Sequence, residues 1–399
     1  EETWNLAENI LAAVRLIADR SQIDSFGPGE GIFQTAAGLR SLQEQFGPEY
    51  VYSATALERY AQCPFRFLVE EVLRLEPPEE LELEEDYAER GRWAHQILAE
   101  AHRQVNERFG RPASPAELEE TDWQTLLQQV IEAAFADKPP EPLRAAMQEV
   151  HRRRIRQWLA DYRRCHQNYD QDKQWAQFAQ KPKPTYFEVA FGRTESASTP
   201  RPDLGETVAA RSYPPLELTP PQTADGDLPK VRISGRIDRI DLGRVAGEVV
   251  FNILDYKTGQ AGWPREHKKL QPALETGTIL QLPLYVLAAQ QVILADQQAQ
   301  PWFAGYWQIK SPGKKSPLSG FVAARLEEGK LRAAETWEYI HNTILPTVFR
   351  LVRAIRSGQF PVFNPDPNCT RNCPWKTACR IQHVRALEKL WPPATYKQE

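Results

Sequence analysis

The chain has 399 residues, a formal charge of -4, 41% hydrophobic residues and five cysteines. That length accommodates two or three domains or one elaborated domain, and it buries a core without disulfides. Three exclusions follow: no apolar run of about 18 residues offers a membrane span, the opening EETWNLAENI lacks signal-peptide order, and a pI near 6.1 does not advertise nucleic-acid binding, although an average hides local stripes.

Leu6, Ile10, Leu11, Val14 and Ile17 recur at helical spacing, which predicts a helix over 3–20. The helical start without an initiator methionine reads as a piece of a longer protein. Residues 22–51 are mixed around a glycine-rich turn at 27–31, and residues 1–50 read as an extension or the remnant of a preceding domain. Helices are expected at about 53–73, 88–109, 114–136 and 141–170, with an acidic, proline-bearing loop at 74–86. TYFEVAFG at 185–192 opens a sheet. Residues 193–229, rich in Pro, Ser, Thr and Asp, read as a long loop. A strand pair spans 231–257, and 259–278 reads as a mobile, lysine-bearing loop. A helix at 279–295, strands at 302–310 and 319–326, and a helix at 331–358 lead into a cysteine segment, with 386–399 as a tail. The order predicts an α/β (α+β) fold, a mixed sheet flanked by helices, with a helical insert at about 88–170.

The strand pair carries GRIDRID at 235–241 and ILDYKTG at 253–259. A hairpin centred near Ala246 and Gly247 sets Asp238 opposite Asp255, and cross-strand Cβ atoms lie about 5 Å apart. Asp255 and Lys257 are two apart and share a face. Carboxylates held together repel unless a cation joins them. Oxygen ligands suit Mg²⁺ or Mn²⁺, which polarises a phosphate, while a lysine holds the attacking water or the developing charge. A lone D-x-K is common and usually marks a surface salt bridge. Here it follows the apolar run FNIL at 251–254, and a strand end rising from a core is a usual place for a site.

Cys369, Cys373 and Cys379 crowd into CTRNCPWKTAC, and Cys63 stands about 300 residues upstream in YAQCPFRF. Structural zinc usually shows paired C-x2-C knuckles; one compact triplet plus a distant thiol suits a cubane iron–sulfur cluster, with zinc as the alternative. Such a link closes a loop of about 300 residues, worth roughly 5–6 kcal/mol on a disputed chain-entropy treatment. Cys165 has no partner pattern and reads as a bystander.

Cations recur near these segments. HRRRIRQW at 151–158, Arg163, Arg164, Lys181, Lys183, Lys268, Lys269 and SPGKKSP at 311–317 are candidates to track a phosphate backbone, although 151–156 reads mainly as a solvated helix face. Gly313-Lys314 lacks the earlier glycine of a P-loop, so any ATP hydrolysis lies elsewhere.

Taken together, the motifs resemble the RecB-type branch of the PD-(D/E)xK nucleases, particularly the iron–sulfur nuclease domains of the AddB type from AddAB helicase–nucleases. The resemblance covers roughly residues 50–385. YSATALERYAQCPFRF at 52–67 is similar to the family's opening, whose cysteine ligates a [4Fe-4S] cluster; that is Cys63, with Cys369, Cys373 and Cys379 as the others. The family's triplet reads C-x2-C-x5-C, whereas this chain has C-x3-C-x5-C. ERGRWAHQIL at 89–98 is similar to the G-x-x-x-H segment and implies His95 as a metal ligand; TYFEVAFG implies Glu188 in the acidic position. GRIDRID and DYKTG imply Asp238 and Asp255 as Mg²⁺ or Mn²⁺ ligands and Lys257 as the catalytic lysine; QLPLY at 281–285 implies Gln281 and Tyr285 near the scissile phosphate. The implied fold is a restriction-endonuclease-like sheet, spanning 51–385, whose cluster joins its N- and C-terminal parts.

The implied function is a metal-dependent deoxyribonuclease, an exonuclease, processing DNA ends for recombination and repair in the bacterial cytoplasm with a helicase partner. Two other readings compete: a non-catalytic module gripping single-stranded DNA or a partner, and a redox protein built on the cluster. The intact Asp238, Asp255 and Lys257 set disfavours both.

Overall fold

The computed structural model describes residues 2–21, 26–76, 87–136, 142–192, 213–221, 229–259, 262–264, 266–310, 318–371, 373–382, 389 and 391. The chain runs α1 (Glu2–Arg20), α2 (Ala36–Gln45), β1 (Val51–Ser53), α3 (Ala54–Gln62) and α4 (Pro64–Phe67), which continues as a π-turn over Leu68–Val72. A helical layer follows: α5 (Tyr87–Phe109), α6 (Glu120–Ala134), α7 (Pro142–Leu159) and α8 (Tyr162–Asp170). Next come β2 (Gln180–Phe191), β3 (Leu216–Leu218), β4 (Val231–Val245), β5 (Glu248–Lys257), α9 (His267–Thr276) and α10 (Gln281–Ala288). The chain then forms β6 (Gln300–Gln308), β7 (Leu318–Val322), β8 (Ala324–Glu327), β9 (Lys330–Ala333), α11 (Glu335–Arg356) and α12 (Lys376–Cys379).

The sheet is mixed and seven-stranded, in the order β1-β4-β5-β6-β7. The long strand β4 serves two neighbourhoods. Its first residues pair with β1 in parallel and with β3 antiparallel; its remainder pairs antiparallel with β2 and β5. Strands β5 and β6 run parallel, joined through α9 and α10, as a parallel pair requires a crossover.

Two cores cover the two faces. Strand β5 divides its residues between them at the strand period: Phe251 and Ile253 join one core, and Val250, Leu254 and Tyr256 join the other. Helices α3, α10 and α11 cover the first face with Leu57, Leu284 and Val348. Helices α5, α6 and α8 cover the second with Ile97, Trp123 and Tyr162. Asp255 and Lys257, in step with Ile253, therefore emerge on the α3–α10 side.

Several expectations need correction. Residues 259–278 are not a continuous loop: Leu270 and Leu274 are buried, and that burial holds α9 together around Pro272. The helix expected over 141–170 breaks at 160–161 into α7 and α8. The helix expected over 331–358 starts only at Glu335, because Lys330–Ala333 pairs with Ala324–Glu327 as a hairpin. Within the long loop at 193–229, Leu216–Leu218 forms β3, with Leu216 and Leu218 buried; residues 193–212 and 222–228 lie outside the described residues.

Segments near residue 30 and beyond residue 360 meet. Phe360 donates its N–H to Gly31 O, and Lys389 reaches both oxygens of Glu30 at 2.7 and 2.9 Å in a fully buried pair. Trp391 packs on Tyr60 with ring centroids 5.5 Å apart.

Candidate active site

The hairpin that presents the site has the register its sequence predicts. Val245 faces Glu248 and Arg239 faces Leu254, so the next step sets Asp238 against Asp255. Ala246 and Gly247 make the turn with φ of 52° and 82°, the pair of left-handed residues that suits a tight two-residue hairpin. Asp238 Oδ2 accepts the Tyr256 backbone N–H at 2.8 Å. Lys257 Nζ lies 2.5 Å from Asp255 Oδ2 and 5.0 Å from the centre of the Tyr306 ring beneath it.

Glu188 lies on β2 opposite this point, and the strand alternation changes phase there. Ile237 and Ile240, three apart, share one core, as do Tyr186 and Val189. A regular strand would send each pair to opposite faces. Glu188 itself has φ 53° inside a strand, an uncommon and strained conformation for a residue with a Cβ. The distortion brings its carboxylate to His95 and Asp238. One donor atom from each of His95, Glu188 and Asp238 lies within 4.8 Å of the others, and His95 Nδ1 is 3.3 Å from Asp238 Oδ1.

Charge is concentrated here. Burial and then the Asp238 charge push Glu188 up to about 7 and Asp255 up to about 6. For His95 burial works downward, but Asp238 outweighs it and raises the imidazole to about 9. Burial likewise opposes the Lys257 ammonium, and Asp255 reverses that and raises its pKa. Glu188 Oε1 is buried without a hydrogen-bond partner. Two carboxylates and an imidazole at this spacing are donors suited to a divalent ion. Among the described residues Asp255 stands just outside that compact trio, turned toward Lys257 and α10.

Helix α10 supplies the remaining side chains. Gln281 Nε2 donates to Asp255 Oδ1 at 2.9 Å, and Gln281 Oε1 accepts from Lys257 Nζ at 3.3 Å. Gln281 Nε2 also lies 3.4 Å from the Tyr285 hydroxyl. Gly235 makes room for Tyr285: a Cβ there would stand 2.5 Å from the Tyr285 ring and 2.9 Å from Phe191. All seven residues expected at the hydrolytic site thus converge. Sequence reasoning missed Glu58 on α3, whose Oε1 accepts the N–H groups of Leu280 and Gln281 at 2.6 and 2.7 Å. Tyr256, between Asp255 and Lys257, packs on the opposite face: its hydroxyl meets Tyr162 at 2.7 Å, beside the buried pair of Arg239 and Asp241.

Cys63, Cys369, Cys373 and Cys379 line one cavity of about 360 Å³. Cys63 sits where α3 gives way to α4, and the triplet reaches it from the other end of the chain. Trp375 Nε1 donates to Glu70 at 3.0 Å and fixes the two segments together. Burial, and then the neighbouring thiol groups, push Cys63 up to about 11. Cys165 is remote from this cavity, on α8.

The expected phosphate-tracking cations are engaged elsewhere. Arg152 and Arg156 pair with Glu132, Arg163 with Glu120, and Arg164 with Asp161. Lys183 pairs with Glu117 and Asp170, Lys181 donates to Asp170 O, and Lys268 and Lys269 meet Glu266. Each of these but Lys181 meets a carboxylate within 4.0 Å. Residues 311–317 lie outside the described residues.

A sequence profile of the PD-(D/E)XK nuclease superfamily matches residues 51–380. The chain belongs to that superfamily. Curated relatives, each named as one component of an ATP-dependent helicase/deoxyribonuclease, narrow the comparison. The protein of Moorella thermoacetica is 25% identical over 285 residues, 70% of this chain and 21% of the relative. That of Natranaerobius thermophilus is 26% identical over 264 residues, 65% and 19%. That of Exiguobacterium sibiricum is 29% identical over 140 residues, 34% and 10%. The chain is AddB-like, and its matches span between a tenth and about a fifth of these relatives. Among the described residues no helix is long and apolar enough to cross a membrane.

Proposed function

We propose that this chain is a metal-dependent DNA nuclease acting within a helicase–nuclease. The observation that carries the reading is the convergence of His95, Glu188 and Asp238 within 4.8 Å, beside Asp255 and Lys257. The raised carboxylate pKa values and the unpartnered Glu188 Oε1 suit a place that takes a cation. His95, Glu188, Asp238 and Asp255 would hold Mg²⁺ or Mn²⁺. When bound, the ion supplies positive charge to the scissile phosphate and makes a water more acidic.

The chain's own groups do the rest. Lys257, kept protonated by Asp255, stabilises charge developing on the phosphate oxygens. Gln281 holds Asp255 and Lys257 in fixed relation, and Tyr285 borders the same spot. Exonucleolytic end processing in recombination and repair, a helicase partner and a cytoplasmic setting are the biological form of this reading. The names of the relatives support the partner.

The cysteine cavity is read as the site of a structural [4Fe-4S] cluster on Cys63, Cys369, Cys373 and Cys379. Four thiols line it. Four Cys donors drawn from one compact triplet and one distant segment suit a cubane iron–sulfur cluster, with zinc as the alternative. Residues 51–385 are then one nuclease unit closed by the cluster, with 1–50 and 386–399 as additions.

The test is incubation of anaerobically purified protein with linear single- and double-stranded DNA. Cutting in Mg²⁺ or Mn²⁺, abolished by EDTA and restored by added metal, is the expected result. Binding without cutting under every divalent ion would replace the reading with that of a DNA-binding module.

A further inference from the structure

Helix α10 begins without a cap of its own: Leu280 stands at its N-cap and offers no side-chain acceptor. Its first N–H groups are orphan donors. Glu58, 222 residues earlier in the chain, supplies the missing acceptor from α3 at 2.6 and 2.7 Å. A carboxylate at a helix N-terminus is also favoured by the helix dipole. The capped residue is Gln281, whose side-chain amide bridges Asp255 and Lys257.

We propose that Glu58 is a positioning residue for the reaction: it fixes the first turn of α10 and thereby holds Gln281 across Asp255 and Lys257. The inference rests on the nuclease reading of the site. Glu58 touches neither Asp255 nor Lys257 through a hydrogen bond, so it acts through Gln281. Keeping a carboxylate here is costly, since burial, against the opposing N–H bonds, pushes Glu58 up to about 7. A residue serving only to fill space at this point would do better without the charge.

The test compares wild type, Glu58→Ala, Glu58→Gln, Gln281→Ala and the double variant Glu58→Ala/Gln281→Ala in steady-state DNA cleavage. Glu58→Ala should lower kcat about 10–100-fold, the range seen when groups orienting a site's ligands are removed. KM should stay at the wild-type value. Glu58→Gln, whose carbonyl still accepts both N–H groups, should recover most of kcat. The double variant should be no slower than Gln281→Ala alone, because the two residues act in series. Wild-type kcat in Glu58→Ala, or losses that multiply in the double variant, would overturn the proposal.

Amide hydrogen exchange at Leu280 and Gln281 is measured in the same proteins. Faster exchange confined to the start of α10 in Glu58→Ala is expected; unchanged exchange there overturns the proposal whatever the kinetics. If wild type cuts no DNA, the nuclease reading fails and the exchange result alone decides the role of Glu58. If Glu58→Ala does not fold, Glu58→Asp takes its place. Its carboxylate is one methylene too short for the N–H pair, and the same losses are expected.

Discussion

Asp238 holds the backbone N–H of Tyr256 at 2.8 Å. The acid on one strand is thereby tied to the peptide that separates Asp255 from Lys257 on the next. Its carboxylate has two tasks, one structural and one electrostatic, and substitution separates them. Asp238→Asn keeps an acceptor for Tyr256 but removes the charge; it should melt near wild type and lose Mn²⁺ binding and cleavage. Asp238→Ala also strands a buried N–H and should lose about 1–3 kcal/mol of stability as well. Denaturant melts beside Mn²⁺ titrations check both.

Without metal the site favours low pH. Glu58 and Glu188 are raised to about 7, Asp255 to about 6 and His95 to about 9. All four values lie above the ordinary ones, so the folded state binds more protons than the unfolded chain. The stability they contribute is full below the ordinary pKa values. It is lost as pH rises through about 6 for Asp255, about 7 for Glu58 and Glu188 and about 9 for His95. The Tm of the metal-free protein should fall across that window, and Mn²⁺ should restore it at the alkaline end. Calorimetry at several pH values, with EDTA and with Mn²⁺, measures this. A flat EDTA profile would contradict the charge crowding described above.

The buried pair of Glu30 and Lys389 joins segments 359 residues apart in the chain. Removing one partner leaves a charge without compensation, which costs about 3–5 kcal/mol. Lys389→Met should therefore destabilise strongly, and Glu30→Gln/Lys389→Met together should recover much of the loss. Chemical denaturation of the three proteins provides the comparison.

Cys63 and the 369–379 triplet make a separable claim. Anaerobically purified protein should be brown and absorb broadly near about 400 nm, as thiolate-bound iron–sulfur clusters do. Cys63→Ala should lose iron and stability together, by about 5 kcal/mol if the loop-closure treatment holds. Cys165→Ala should retain both. Iron analysis and melting curves distinguish these outcomes; an iron-free wild type would remove the cluster from the account.

The hairpin was legible because strand period and turn chemistry agree on one register. Ala246-Gly247 closes it, and Asp238, Asp255 and Lys257 then fall into place. Motif order in the sequence pointed to His95, Gln281 and Tyr285, and the fold brings them together. Glu58 was hidden because nothing local marks it: its partners are amides 222 residues away. The ion pairing of the basic runs was hidden for a similar reason. Their neutralisation by Glu132, Glu120 and Glu117 comes from other segments, and charge counts along one strand or helix do not register it. Helix α9 carries Pro272, which lacks an N–H, and only the burial of Leu270 and Leu274 reveals it as a helix. The strained backbone of Glu188 leaves a trace only in the spacing of its neighbours: Tyr186 and Val189 on β2, and Ile237 and Ile240 on β4, stand three apart within their strands.

The central claim is that Lys257 serves the chemistry and not the grip on DNA. Its most direct test is cleavage of end-labelled linear DNA in Mg²⁺ by wild type and Lys257→Ala, with DNA affinity measured on both. The account predicts a loss of kcat on the order of 10²–10³ in the variant, with affinity unchanged. Equal cleavage by the two proteins would contradict it.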